Sequence, residues 1–203
     1  MFCRRRTGRV KLISLLGAVA QVISVGKFTD MSERNRDYYL HLRQRYEPNA
    51  ITLAVVAESP PASGKYFYDA SGSVKEPLFS ALMHQIGISP STKEIGLREF
   101  QRRGWVLIDA TYQPVDKLAK DAAHDRDDMI VQDYPLLVDD LISLSPDRSI
   151  PVVLIKANVC RVLEPLLIRD RFNVLNNGKA IYFPSHGNQT EFRSQFRIVV
   201  GTK

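Results

Sequence analysis

Three stretches of this chain are apolar at nearly every position: residues 51–57 (ITLAVVA), 105–110 (WVLIDA) and 151–156 (PVVLIK). A strand with one wet face alternates apolar and polar residues, so unbroken runs of this length predict strands buried on both faces. A shorter run, residues 180–183, predicts a fourth strand. Between the runs, apolar residues recur at the helical spacing of three and four. Residues 32–46 place Tyr38, Tyr39, Leu40, Leu42 and Tyr46 along one helical face before Pro48 stops it. Residues 74–86 do the same with Leu78, Phe79, Leu82, Met83 and Ile86. Ser91 and Glu94 form a capping box that opens a helix running through Arg103. Residues 129–144 predict one long amphipathic helix and residues 157–171 another. Residues 190–196 predict a last helical turn or two, and residues 197–200 a terminal strand.

Strands apolar throughout and separated by helices predict a three-layer α/β/α sandwich. Its central, mainly parallel sheet has about four strands. A chain of 203 residues, 44% hydrophobic and 25% charged, suits one such domain with a sizeable core. That domain reads as residues 31–203. Residues 1–30 read as an extension of unassigned role: a basic start, Arg4, Arg5, Arg6, Arg9 and Lys11, then a mostly apolar run over residues 12–26. The run is too short for a confident membrane span and lacks a small-residue cleavage site, so no membrane partner is expected. The most polar, least periodic stretch is residues 113–128; His124 and its neighbouring carboxylates match no metal-site spacing and read as a solvated loop or helix. Cys3 and Cys160 cannot by themselves build a disulfide framework or a metal site, and Cys160 reads as core.

The net charge of +6 is unevenly spread. Residues 151–203 carry eight basic side chains against three acidic ones, and residues 31–150 are net acidic. A basic carboxyl-terminal third suits a polyanion-facing surface, though solvated arginines and lysines would read the same way.

Candidate chemistry lies in two loops at predicted strand ends, where an open parallel sheet places its ligands. One is A-E-S-P-P-A-S-G-K-Y-F-Y, residues 57–68, with a carboxylate, two glycine positions (Gly64 and, further on, Gly72) and the aromatics Tyr66, Phe67 and Tyr68. At least one of those aromatics is expected to anchor the loop to the core. The other is Y-F-P-S-H-G-N-Q-T-E-F-R, residues 182–193, rich in small polar groups.

The order of elements and three strand-end motifs resemble the uracil-DNA glycosylase superfamily over roughly residues 51–200. Some members read G-E-A-P-G after the first strand. Ala57-Glu58-Ser59-Pro60-Pro61 is similar, and the resemblance implies that Glu58 positions or activates water, with Ser59 beside it at the substrate. Phe67, followed at a similar interval by Gly72, matches the aromatic that stacks on a flipped base. The second motif is a strand ending in an Asn that reads the uracil edge; residues 104–112 have its shape, with Asp109 at the Asn position. The third is H-P-S followed by a loop that enters the minor groove. Phe183-Pro184-Ser185-His186 keeps Pro and Ser, has Phe183 where the His stands, and supplies His186 three residues later. The resemblance implies Phe183 at the substrate, His186 as a substitute catalytic His or a phosphate contact, and Ser185, Gly187, Asn188, Gln189 and Arg193 against DNA.

Asp109 alters the chemistry. Uracil offers an N–H donor next to a carbonyl acceptor, and an Asn amide complements both. An ionised Asp repels the carbonyl; a neutral one donates to it and accepts from the N–H, which needs a raised pKa in a dry pocket. A nearby Glu58 would help to keep one of the two carboxyls protonated. Asp109 otherwise serves as a water-activating base, selects another base, or caps the following loop through Thr111 and Tyr112. Glu58 otherwise caps its own loop's amides.

The resemblance implies a monofunctional DNA glycosylase that hydrolyses the N-glycosidic bond of uracil and leaves an abasic site. Water is the nucleophile, no lysine is placed for a Schiff base, and neither metal nor organic cofactor is implied. A cytoplasmic monomer acting on uracil-containing DNA is the expectation. Two other readings are a weakly catalytic module that binds uracil-containing or abasic DNA, and a small-molecule nucleoside or nucleotide hydrolase.

Overall fold

The structure, a computed structural model, describes residues 35–115, 123–185 and 187–201, with the backbone only at residues 123 and 124. The extension at residues 1–30 lies outside the described residues, as do part of the polar stretch 113–128 and His186. Three of the four expected strands form where the apolar runs lie: β1 Leu53–Ala57, β2 Trp105–Asp109 and β3 Pro151–Leu154. A fourth, β4, is Asn173–Val174. Among the described residues the sheet runs β2-β1-β3-β4, every pairing parallel, with Ala54 at the centre opposite Val106 on one side and Val152 on the other. The expected fourth strand at residues 180–183 does not form. β4 takes that edge, and beyond it the buried Asn176 side chain replaces a backbone partner. Its Oδ1 accepts from the Leu154 N–H (2.8 Å) and its Nδ2 donates to the Leu154 carbonyl (3.1 Å). Residues 180–183 pass over the strand ends instead, touching the sheet through the Lys156 N–H to the Ile181 carbonyl (2.7 Å).

Seven helices cover the two faces among the described residues: α1 Arg36–Gln44, α2 Pro77–Gln85, α3 Lys93–Arg102, α4 Ala123–Gln132, α5 Tyr134–Leu144, α6 Ala157–Arg169 and α7 Gln189–Val200. Because strand side chains alternate in direction, each strand feeds both layers. Leu53, Val55 and Leu107 join a core with Phe79, Leu82, Leu97, Phe100, Phe192 and Phe196 of α2, α3 and α7. Ala54, Val56, Val106, Ile108 and Leu154 join a second core with Ile130, Leu137, Leu141, Leu163 and Leu167 of α4, α5 and α6. The chain is therefore a three-layer α/β/α sandwich. No helix among the described residues is long and apolar enough to cross a membrane.

Local chemistry moved several element boundaries. The long helix expected at residues 129–144 breaks at Asp133, because Pro135 lacks an N–H and suits only the first turn of a new helix. The Asp133 carboxylate instead accepts from the Thr111 hydroxyl (2.5 Å). The cap of α3 is Thr92, whose Oγ1 accepts from Ile95 N (3.3 Å), and not Ser91. Glu94 turns away to the Tyr46 hydroxyl and Arg98, so the expected capping box is absent. The expected terminal strand 197–200 is the end of α7: Phe192 and Phe196 bury one helical face, and this outweighs the strand preference of Ile198-Val199-Val200.

Side chains meet the sheet at two points, Asn176 at the end of β3 and Tyr68 at the β2 edge. β2 lies at one edge, and its Leu107 N–H and C=O point outward. The Tyr68 hydroxyl accepts from the first (2.7 Å) and donates to the second (3.2 Å). Tyr68, with Tyr66 and Phe67 buried in the same core, thus anchors its loop, and all three loop aromatics are anchors. Nearby, buried Arg43 of α1 meets the Tyr112 hydroxyl (3.2 Å) and Asp140 of α5 (3.5 Å), linking the two helical layers around this edge.

Candidate functional site

β1, β2 and β3 all point their carboxyl ends the same way, and a cavity of about 460 Å³ lies there. Its walls are Ala57 and Glu58 at the end of β1, Leu107 and Asp109 of β2, Lys156 just past β3, the loop through Ser59, Lys65, Tyr66 and Phe67, the start of α2, and Phe183 with Ser185. Six residues singled out from the sequence thus meet around one space: Glu58, Ser59, Phe67, Asp109, Phe183 and Ser185. The volume falls in the range of small-molecule pockets.

The loops are pinned in place. Ala110 N–H donates to the Ala57 carbonyl (2.8 Å) and Thr111 N–H to the Glu58 carbonyl (3.0 Å), so the β1 and β2 loops leave side by side. Ser59 Oγ accepts from Val115 N–H (3.4 Å). Lys93, fully buried, donates from Nζ to the Tyr66 carbonyl (2.6 Å) and to Glu76 (2.6 Å), clamping the aromatic loop from beneath. Burial lowers the Lys93 pKa and the Glu76 carboxylate opposes that. Gly72 sits over this clamp: a Cβ there would come within 2.5 Å of Glu76 and 2.9 Å of Lys93 Nζ. Phe67 is held edge-on by Tyr68 (ring centroids 5.0 Å apart) and Phe100 (5.1 Å).

Asp109 is the most perturbed acid of the site. It is 3% exposed, and its pKa is pushed up to about 7, first by burial and further by Asp140. The Tyr66 hydroxyl donating to it and the charge of Arg43 oppose the rise. Its Oδ2 has no hydrogen-bond partner among the described residues. Such a group is close to half protonated near neutral pH, and its buried Oδ2 is left unpaired at the cavity wall. The cause differs from the expectation that Glu58 would share a proton with it: burial and Asp140 raise it. The loop after β2 is held instead by Thr111, whose Oγ1 accepts from Gln113 N–H (3.1 Å).

Glu58, 8% exposed, does not cap its own loop. One oxygen pairs with Lys156 Nζ and the other accepts from Asn158 Nδ2 (2.7 Å) at the start of α6. Neither partner was singled out from the sequence. Lys156 read as the last residue of a strand, and no lysine was expected at the site. Its backbone is the missed signal: Lys156 has φ 85° and ψ 131°, a conformation that only glycine adopts freely.

The remaining expected residues stand outside the cavity wall, where α7 begins. Gln189 turns its amide back onto the Pro184 carbonyl (2.5 Å), and Arg193 donates to the Gln189 carbonyl (3.2 Å) and approaches His84 (3.1 Å). Gly187 and Asn188 are exposed, and Asn188 N–H donates to the Ser185 carbonyl (3.0 Å). His186 lies outside the described residues. Among the described residues, no three His, Cys, Asp or Glu side chains gather as a metal ion would require.

Comparison with protein-family models, with curated proteins and with solved structures finds no match to this chain, so the site rests on its own geometry.

Proposed function

We propose that this chain is a DNA base glycosylase of the uracil-excising kind. It hydrolyses the bond between base and deoxyribose and leaves an abasic site. The observation that carries the reading is the convergence of Glu58, Asp109, Phe67 and Phe183 on one cavity at the strand ends. A base inside a duplex has to swing out of the stack to be cut, and it then needs an aromatic neighbour and an edge-reading group. Phe67 offers the ring. Asp109, in its protonated form, offers an O–H to a base carbonyl and a C=O to the adjacent N–H. Glu58 offers negative charge to the sugar as it becomes cation-like. The basic carboxyl-terminal third that carries the second loop suits a DNA partner.

One observation favours a second reading. Both Glu58 oxygens are occupied, which suits holding a ligand better than activating water. That reading is a module that binds uracil-containing or abasic DNA with little turnover.

The test is cleavage of labelled DNA carrying one uracil, followed by hot alkali to break abasic sites. The parent should cut, and Glu58→Ala and Asp109→Ala should each lose about 100-fold or more. Tight, salt-sensitive binding without cutting supports the second reading. Activity on free deoxyuridine with salt-insensitive DNA binding would point to a nucleoside hydrolase.

A further inference from the structure

The heterolysis of an N-glycosidic bond separates charge in a fixed direction. The bond from sugar carbon to base nitrogen breaks with its electron pair passing to the base. The sugar becomes cationic and the base anionic. One water oxygen then bonds to the sugar carbon; one of its protons ends on the base, and the other stays in the new hydroxyl. A site that lowers this barrier needs negative charge at the sugar and positive charge or a donor at the base. A carboxylate alone answers only the first need, and Phe183 brings no charge to the second loop's wall.

Lys156 stands where the second need arises. Its ammonium is in the cavity wall and in contact with Glu58, so the wall carries an adjacent minus–plus pair rather than a lone carboxylate. The other lysine of the wall, Lys65, is exposed on the loop. Lys156 is also held at a backbone conformation that disfavours any side chain, and such strain collects where function demands a particular side chain. We propose that Lys156 donates to the carbonyl edge of the departing base, and that with Glu58 it forms a preset charge pair matching the charge separation of the reaction. This rests on the glycosylase reading. Asn158, bonded to the other Glu58 oxygen, is a positioning residue that keeps the carboxylate turned toward the sugar. Fixed in place by the Glu58–Lys156 contact, such a pair acts on both ends of the breaking bond at little reorganisation cost.

The experiment compares two leaving groups. Single-turnover excision is measured on duplexes carrying one deoxyuridine or one 5-fluorodeoxyuridine, whose base is the more stable anion. The parent, Lys156→Gln, Lys156→Gly, Lys156→Arg and Glu58→Gln are used. Lys156→Gln should lose about 100-fold on uracil and clearly less on 5-fluorouracil, because the fluorine supplies part of the missing stabilisation. Lys156→Arg should restore much of the loss. Glu58→Gln should slow both bases alike. Lys156→Gly suits the backbone at this position, so it serves as an amine-free chain should Lys156→Gln fold poorly. Equal losses on both bases, or none, would overturn the proposal and leave Lys156 as a support for Glu58. So would a borohydride-trapped covalent adduct with DNA, which would make Lys156 a nucleophile. A parent inactive on both bases would overturn the glycosylase reading itself, and this inference with it.

Discussion

The two layers that flank the sheet are built from different chemistry. The layer holding the cavity is aromatic: Tyr39, Tyr66, Phe67, Tyr68, Phe79, Phe100, Trp105, Phe192 and Phe196 are all buried there. The layer behind the sheet is aliphatic, packed from Ile130, Leu137, Leu141, Val159, Leu163 and Leu167, with Tyr134 and Phe172 at its margin. Branched aliphatic side chains fill space without a polar remainder. Rings are rigid and meet edge to face, and a tyrosine brings a hydroxyl inside with it. The aromatic layer puts those hydroxyls to use: Tyr66 reaches Asp109 and Tyr68 reaches Leu107. It also tolerates charge, in Lys93, Arg43 and Asp109. The contrast teaches that the aromatic layer carries the cavity and most of its charge, to which the aliphatic layer contributes the buried Asp140 of α5.

That division is open to breakage. The largest effect should come from Leu163→Ala in the aliphatic layer, fully buried on α6. It should lower stability by about 3–4 kcal/mol in urea unfolding and leave the Asp109 pH dependence in place. A change in that dependence would mean that packing on α6 reaches Asp109 by a route other than Asp140 of α5.

Next comes Asp109→Asn. The folded chain holds the Asp109 proton to about pH 7, against 3.8 for an ordinary aspartate, so the folded state binds the proton more tightly than the unfolded state. This stability is fully present below pH 3.8 and is lost as pH rises toward 7 and beyond. Asp109→Asn should therefore stabilise the protein at pH 8 by on the order of 2 kcal/mol and flatten the pH dependence of the urea midpoint between about pH 4 and 7. If protonated Asp109 reads the base, uracil excision by the parent should decline above about pH 7, and the Asn variant should keep its rate.

The smallest effect isolates one backbone angle. Lys156→Gly and Lys156→Ala both lack the amine, and Gly alone fits φ 85° without strain. The Gly variant should melt higher than the Ala variant, by about 1–2 kcal/mol of stability. Equal melting points would mean that the loop relaxes once the lysine is gone.

How legible this was in the sequence depends on the length of each signal. Buried strands of four or five apolar residues announce themselves, and a polar residue at the end of such a run, Glu58 or Asp109, is placed at once at the rim of a parallel sheet. β4 has two residues, too few for any periodicity, and its continuation is an Asn side chain rather than backbone. Pro135 marked the break between α4 and α5, but the apolar spacing on either side of it imitated a single helix. In α7 the β-branched tail masked the helical pair Phe192 and Phe196. Lys156 was hidden for a different reason: sequence rules assign positive φ to Gly and Asn, so a lysine in that conformation reads as ordinary strand. The ion pair to Glu58 joins residues almost a hundred positions apart and has no local trace.

The Tyr68 hydroxyl and the Asn176 amide have a consequence for the molecule in a crowded solution. An unpaired strand rim is a template on which another chain can add, and natural sheets guard against it. Here Leu107 and Leu154 offer a newcomer no free N–H or C=O, because a side chain already answers each pair. Both guards come from connecting segments, Tyr68 from the aromatic loop and Asn176 from the turn after β4. The segment that shapes the cavity therefore also closes the middle of the β2 edge to an added strand.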